Sequence, residues 1–325
     1  MKAIVQDRYC APEALALREI PQPAPGPGEV LVRVRAASVN AYDWHLMRGD
    51  PYVARFMGHP MGFGGPAVQV RGRDFAGEVV SGDSPGLRPG DEVYGEADGT
   101  FAEYVCVPGD AVDRKPANLT FEQAAAVPLA GNTALTGLRD TGHVRAGQRV
   151  LINGASGGVG TFAVQIAKAS GANVTAVCGT RNVELVQGLG ADRVIDYTRE
   201  DFTRGTERYD LVLDLVGNRS LAGLRRVLAP GGQLLLSGGG MWAGGRFLGP
   251  VALFVRGALA DRFTRLRVRA FTAKVSRENL ATLRELVESG KVAPVIDRTY
   301  PLSEAPEAIR YLEDEHARAK VVVAM

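Results

Sequence analysis

The chain has 325 residues, 46% of them hydrophobic, and a formal net charge of +2 spread along its length. That is enough apolar material for about two domains, and too little charge to point to nucleic acid or an anionic membrane, so a small or uncharged partner is expected. The three cysteines, Cys10, Cys106 and Cys178, are odd in number and form no CxxC pair, which argues against a disulfide framework or thiolate metal cluster and suits a reducing compartment, read here as the cytoplasm.

The first residues, "MKAIVQDRY", turn charged at once, without the apolar stretch of a secretory signal. Up to about residue 120, short alternating runs such as "EVLVRVRAASV" and "FAEYVCVP" are separated by turn clusters such as "PQPAPGPGE", the texture of a β-rich domain. From about residue 145 the runs "RVLIN", "NVTAVC", "RVIDY", "DLVLDLV" and "QLLLS" alternate with helical stretches, which predicts a doubly wound parallel α/β sheet. Val159, Phe162, Ala163, Ile166 and Ala167 recur at helical spacing before Gly171, so one helix face is expected to be buried. The apolar stretch "FLGPVALFV" at 247–255 is too short to span a bilayer. Beyond about 265 come the strand-like "RLRVRAFTA", a helix carrying Leu280, Leu283, Leu286 and Val287, a second helix after Ser303, and a last strand "KVVVAM".

Between the first two strands of the α/β region the chain reads "NGASGGVG", with Gly154, Gly157 and Gly160 spaced GxxGxxG. Strand, glycine loop and helix in that order present free backbone N–H groups and a positive helix end to a phosphate, where side chains would block the approach. The expected ligand is a dinucleotide. At the end of the second strand, "CGTRN" holds no acid until Glu184, whereas Thr180 and Arg181 suit a 2′-phosphate, so NADP(H) is expected over NAD.

With these motifs in place, the sequence resembles the medium-chain dehydrogenase/reductase superfamily, and within it the zinc-independent, NADPH-dependent quinone oxidoreductase-like enzymes. The resemblance runs through "PGPGEVLVRVRAASVN", "RGRDFAGEVV", "PGDEVYG", "FAEYVCVP", "AAAVPLAGNTAL", "VLINGASGGVGTFAVQIAKASGANV", "GLGADRVIDY" and "APVIDRTYPLSEAPEAIRYLE", nearly the whole chain in order. It implies a GroES-like β-barrel catalytic domain over 1–122, a Rossmann domain over 123–267, and a segment 268–325 returning to the first domain. By position, Gly154, Ser156, Gly157, Gly158, Val159 and Gly160 would form the pyrophosphate loop. Thr180, Arg181 and Tyr197 would surround the 2′-phosphate, with Thr133 and Asn132 near the nicotinamide ribose. Val216 would contact the cofactor, Ser237, Gly238 and Gly239 would pass beside the nicotinamide, and Lys320 matches a lysine near the cofactor, although Ala319 replaces the usual preceding glycine. A homodimer is implied by the same analogy.

Zinc-dependent relatives have a catalytic Cys where this chain has Asn40, and a GHE motif where it has "GRD" at 72–74. Arg is no zinc ligand and Asn is a poor substitute for thiolate, so no metal is expected; Asp43, His45 and His59 are the alternative, unorthodox ligand set. Without a Lewis acid, reduction of a quinone or α,β-unsaturated carbonyl is favoured over alcohol oxidation, because the charge delocalises into an enolate or hydroquinone oxygen that hydrogen bonds can hold. The donors expected there are Tyr42, Asn40 and His45, with Tyr52 as a further candidate; packing of the barrel is the competing role for the aromatic residues. Arg73 and Asp74 are expected to pair with each other where the metal would be. The loops "RGDPYVARFMGHPMGFGGPAVQV" and "GGGMWAGGRFLGPVALF" carry aromatic residues suited to a small, flat, apolar conjugated substrate, or equally to packing or a subunit interface. Competing readings are a zinc-independent carbonyl or alcohol oxidoreductase, a pathway-specific enoyl reductase, and a non-catalytic NADPH-binding sensor.

Overall fold

The β-forming runs assemble into three sheets in the computed structural model, which describes residues 1–56, 60–237, 245–263, 267–314 and 317–325. In chain order the strands are β1 (Lys2–Val5), β2 (Ala16–Glu19), β3 (Glu29–Val39), β4 (Asp74–Gly82), β5 (Glu92–Glu96), β6 (Tyr104–Pro108), β7 (Val112–Arg114), β8 (Arg149–Asn153), β9 (Asn173–Cys178), β10 (Arg193–Asp196), β11 (Tyr209–Asp214), β12 (Leu228–Leu236), β13 (Arg267–Ala270), β14 (Ile296–Pro301) and β15 (Lys320–Ala324). The chain divides into two compact units, one of residues 1–132, 274–290 and 294–325, the other of residues 133–273 and 291–293.

These divisions lie beyond residues 122 and 267 for identifiable reasons. Asn132 is fixed in the first unit by hydrogen bonds from its side-chain amide to Glu96 and to the Lys274 carbonyl. Arg267–Ala270 pairs in parallel with β12, so the strand-like run after residue 265 is the sixth strand of the α/β sheet.

In the first unit the eleven-residue β3 is the spine. One edge pairs antiparallel with β4; the other pairs with β6 along its first half and with β15 along its last, so the chain's final strand closes against residues 36–39. Inward-facing Val30, Val32 and Val34 join Phe75, Val79, Val93 and Val107 in a buried cluster, while the intervening Arg33 and Arg35 reach across to Glu78. The helix Arg277–Glu288 also belongs here: it buries Leu280, Leu283 and Val287, accepts the Tyr94 hydroxyl at the Leu280 carbonyl, and ends at Gly290 with φ +72°.

The second unit is a six-stranded parallel sheet ordered β10-β9-β8-β11-β12-β13. Strand order reverses between β8 and β11, the position at which doubly wound sheets bind ligands beyond the strand ends. The helix Gly158–Ala169 follows β8 directly, and its burial exceeds the single stripe expected: residues 160–167 are all buried, polar Thr161 and Gln165 included, while Val159 is half-buried. Gln165 explains the extra face, because its amide donates to the Ala293 carbonyl and accepts the Ala293 N–H, covering the helix with residues 291–293. Gly171, at φ +77°, takes the turn that ends the helix.

Candidate functional site

The turn from β8 into the helix Gly158–Ala169 is shaped by contacts that exclude side chains. Gly154 has φ +88°, and a Cβ there would lie 2.7 Å from a Val216 methyl; a Cβ on Gly160 would lie 2.1 Å from the Gly154 carbonyl oxygen. No L side chain fits either place. Ala155 and Gly154 donate to the Val177 carbonyl, and Gly157 donates to the Gly154 carbonyl, which pins the loop against β9. Among the described residues, the N–H groups of Ser156, Gly158 and Val159 meet no acceptor. Unanswered donors at the start of a twelve-residue helix and on the residue before its N-cap form an anion cradle, so the residues present fit the pyrophosphate of a dinucleotide. Ser156 is held in place by the Asn182 amide, which donates to its hydroxyl at 3.0 Å.

That bond links the loop to a cavity of about 460 Å³ lined by Thr180, Arg181, Val183, Glu184, Val194, Asp196 and Arg199. Two of the three residues expected around a 2′-phosphate, Thr180 and Arg181, are brought together here. The third, Tyr197, stands alongside, half-exposed, its hydroxyl 3.2 Å from where a Cβ on Gly179 would sit. Arg199 and Asp196 were not anticipated; "VIDYTRED" carries them on either side of Tyr197, and a count of charges near the second strand would have found them. Val216 follows β11 and donates its N–H to Asp214, and Ser237 donates to the Asp214 carbonyl. Gly238 and Gly239 lie outside the described residues. Thr133 is half-buried on the helix Pro128–Leu135.

In the first unit, the residues expected to handle substrate meet a buried polar cluster centred on Asp74, which is fully buried on β4. Its Oδ2 accepts from the Ser38 hydroxyl at 2.8 Å, the Asn40 amide at 3.0 Å and the Lys320 ammonium at 3.3 Å, and its Oδ1 accepts the Leu129 N–H. Lys320, 2% exposed, donates further to Asn40 Oδ1 at 2.5 Å and the Val39 carbonyl. Lys320 thus directs its ammonium at acceptors of the first unit, and Asn40 donates its amide to the Ser38 carbonyl and to Asp74. Asn132 is similarly engaged, donating to Glu96 and Lys274 and accepting from Asn279.

The Arg73–Asp74 pair does not form. Arg73 reaches Asp98 at 2.8 Å and Glu96 at 3.4 Å, and Lys320 is the cation beside Asp74. Burial, followed by the nearby Asp74 charge, pushes Glu96 up to about 7, and burial pushes Asp43 up to about 7. Asp43 accepts the Asn40 N–H at 2.7 Å.

Tyr42 is half-buried, with Arg73 5.5 Å from its ring centroid. Burial, then the Asp98 charge, raises its hydroxyl above the ordinary phenol value, which keeps the proton on. His45 stacks on Trp44 and uses Nδ1 to donate to the Asp50 carbonyl; burial lowers it to about 4. It is therefore neutral, with its Nδ1 proton directed at the Asp50 carbonyl. Tyr52 lies on the 3-10 turn Tyr52–Phe56 beneath the Arg55 guanidinium.

Comparison with known proteins places these features in a lineage. Residues 26–117 match the family model for the alcohol dehydrogenase GroES-like domain, and residues 189–323 match one described as zinc-binding dehydrogenase. The protein called NAD(P)H oxidoreductase RTN4IP1, mitochondrial, from Mus musculus is 36% identical over 91% of this chain and 82% of its own length. The chain belongs to the medium-chain dehydrogenase/reductase superfamily. Among other superfamily members, the NADPH-dependent alkenal/one oxidoreductase, chloroplastic, of Arabidopsis thaliana is 34% identical, covering 99% of this chain and 79% of that protein. The solved quinone oxidoreductase from Coxiella burnetii superposes with a TM-score of 0.85 at 32% identity, covering 100% of this chain and 99% of that one. These neighbours place the chain with the quinone oxidoreductase-like members, and their shared architecture is the Rossmann sheet with a GroES-like domain described above.

The zinc named by one superfamily model does not fit the donor set of this chain. At Asn40, Arg73 and Asp74, the side-chain oxygen of Asn40 and the Asp74 carboxylate already receive the Lys320 ammonium, and Arg73 is a permanent cation. Among the described residues, no group of three or more His, Cys, Asp and Glu is placed to hold a metal ion; His59 lies outside them. Also among the described residues, no helix is long and apolar enough to cross a membrane. Of the aromatic residues expected for a flat ligand, Phe56 and Phe63 are exposed and meet edge to face at 5.3 Å, Phe247 is exposed, and Phe254 packs on the core of the second unit. Met57 and Trp242 are outside the described residues.

Proposed function

We propose that this protein is an NADPH-dependent, zinc-independent oxidoreductase that reduces quinones or α,β-unsaturated carbonyl compounds by hydride transfer. The observation that carries the reading is the set of unanswered N–H groups at Ser156, Gly158 and Val159 beside a cavity containing Arg181 and Arg199. When bound, the reduced nicotinamide supplies a hydride to an electron-poor carbon of the conjugated acceptor. The Ser156–Gly160 loop holds the pyrophosphate, and Arg181 and Tyr197 hold the 2′-phosphate. Superfamily relatives named as an NAD(P)H oxidoreductase, an NADPH-dependent alkenal/one oxidoreductase and a quinone oxidoreductase support both the cofactor and the acceptor class.

The chain's own part in the chemistry is to hold charge and supply a proton. A conjugated acceptor spreads the negative charge that follows hydride addition, so a hydrogen-bond donor suffices where a simple alkoxide would call for a metal. Tyr42 is the donor we assign: its phenol stays protonated and, among the described residues, its hydroxyl makes no hydrogen bond that would compete. Asn40 and His45 are set aside for this role by the bonds they already make, and Tyr52 is the second candidate. We further propose a homodimer working in a reducing compartment such as the cytoplasm, the former on superfamily analogy and the latter on the three free cysteines.

The test is a panel of quinones, enones, aldehydes and alcohols, followed by oxidation of NADPH and of NADH. Turnover confined to conjugated acceptors, with Tyr42→Phe lowering kcat about tenfold and leaving NADPH affinity unchanged, is the expected result. NADPH binding without oxidation in the presence of any acceptor contradicts the enzyme reading.

A further inference from the structure

The cavity of the second unit contains a charge that the proposed function leaves unused. Asp196, the last residue of β10, brings a carboxylate to the same wall as Arg181 and Arg199. Its Oδ2 accepts the Thr180 hydroxyl at 2.6 Å, and its Oδ1 accepts the Thr198 hydroxyl at 2.8 Å and the Thr198 N–H at 3.0 Å. The Nε of Arg199 stands 3.5 Å from Oδ2 on a side chain that is 77% exposed. The Thr180 hydroxyl, then Thr198 and Arg199, hold the Asp196 carboxyl below the usual range, so it is ionised at neutral pH.

Two consequences follow for a phosphate entering this cavity. Each threonine hydroxyl has one proton; the two hydroxyls stand 3.0 Å apart and both lie within reach of Asp196, so the carboxylate and the neighbouring hydroxyl compete with a phosphate for the Thr180 proton. The carboxylate also repels a dianion at short range while drawing Arg199 toward itself. The hydroxyl of Thr180, which looked in the sequence like a phosphate contact, is engaged elsewhere.

We propose that Asp196 is a specificity-determining residue, a brake on 2′-phosphate preference that competes with the phosphate for Thr180 and Arg199, and that Arg199 is the second cation for that phosphate. The inference rests on the reading of this cavity as the ribose end of a nicotinamide dinucleotide. It implies that the protein accepts both NADPH and NADH, with a preference smaller than two arginines alone would give.

Calorimetric titration of the full-length protein with NADPH and with NADH tests it. Asp196→Asn keeps the side chain's size and should tighten NADPH about tenfold while NADH changes less than about twofold. Arg199→Gln should weaken NADPH about fivefold in the parent protein and by a larger factor in the Asp196→Asn background, where the guanidinium has only the phosphate to pair with. An unchanged NADPH-to-NADH ratio in Asp196→Asn overturns the brake. Should that variant fail to fold, Arg199→Gln decides alone: equal losses for both nucleotides, or none, overturn the proposal. Arg181→Asp separates this failure from that of the underlying reading. A selective loss of NADPH there, with Asp196→Asn silent, leaves the cavity assignment standing and removes only the brake; no effect on either nucleotide removes the cavity assignment itself.

Discussion

Around Asp74 the strong donors and acceptors of Ser38, Asn40 and Lys320 answer one another, whereas at the turn out of β8 the N–H groups of Ser156, Gly158 and Val159 are unanswered among the described residues. Both places look functional in the sequence, and both carry residues that superfamily resemblance assigns to the active centre. The difference teaches that polar residue type is a poor guide to function until its hydrogen bonds are accounted for. A buried ion whose partners are complete serves the fold; a rigid set of donors left open serves a ligand.

The comparison breaks most visibly if the closed cluster is opened. Lys320→Met leaves Asp74 buried without its cation and should cost about 4 kcal/mol of stability, read by denaturant midpoint. The folded fraction should still bind NADPH normally, and a large loss of affinity would show that the lysine serves the cofactor after all. Filling the open turn comes next. Gly160→Ala places a methyl 2.1 Å from the Gly154 oxygen and should cost about 2 to 3 kcal/mol while abolishing nucleotide binding, checked by melting with and without NADPH.

A smaller effect concerns protons. Glu96 and Asp43 have folded values near 7, above the roughly 4 of an unfolded carboxyl, so the folded state binds the extra protons. Their stabilisation is complete below about pH 4 and is lost as pH rises through about 7. Denaturant midpoints should therefore fall between pH 5.5 and 8, and Glu96→Gln should flatten that fall. The smallest change is at Ala319, which sits at φ +56°, a conformation that favours glycine. Ala319→Gly should stabilise by about 1 kcal/mol, measured as a raised melting temperature.

Much of the second unit was legible in the sequence because its signals are local. Each parallel strand is a short β-rich run, the helix Gly158–Ala169 carries its own period and its own stop at Gly171, and the glycine loop lies between them. What escaped was long-range. Lys320 lies 280 residues from Asn40 and 246 from Asp74, and nothing in their spacing says that β15 closes against the end of β3. Asn132 escaped for the same reason, since Glu96 and Asn279 come from distant segments. In the cavity the miss was local: "VIDY" drew attention to its tyrosine, while the aspartate before it is the residue that meets Thr180.

The central claim is that the open donors of the glycine loop grip a nicotinamide dinucleotide. Amide NMR of ¹⁵N-labelled protein titrated with NADP⁺ tests it directly. Saturable shifts at Ser156, Gly158 and Val159, with protection of those amides from exchange, are predicted. Unmoved resonances for all three at saturating nucleotide would contradict the account.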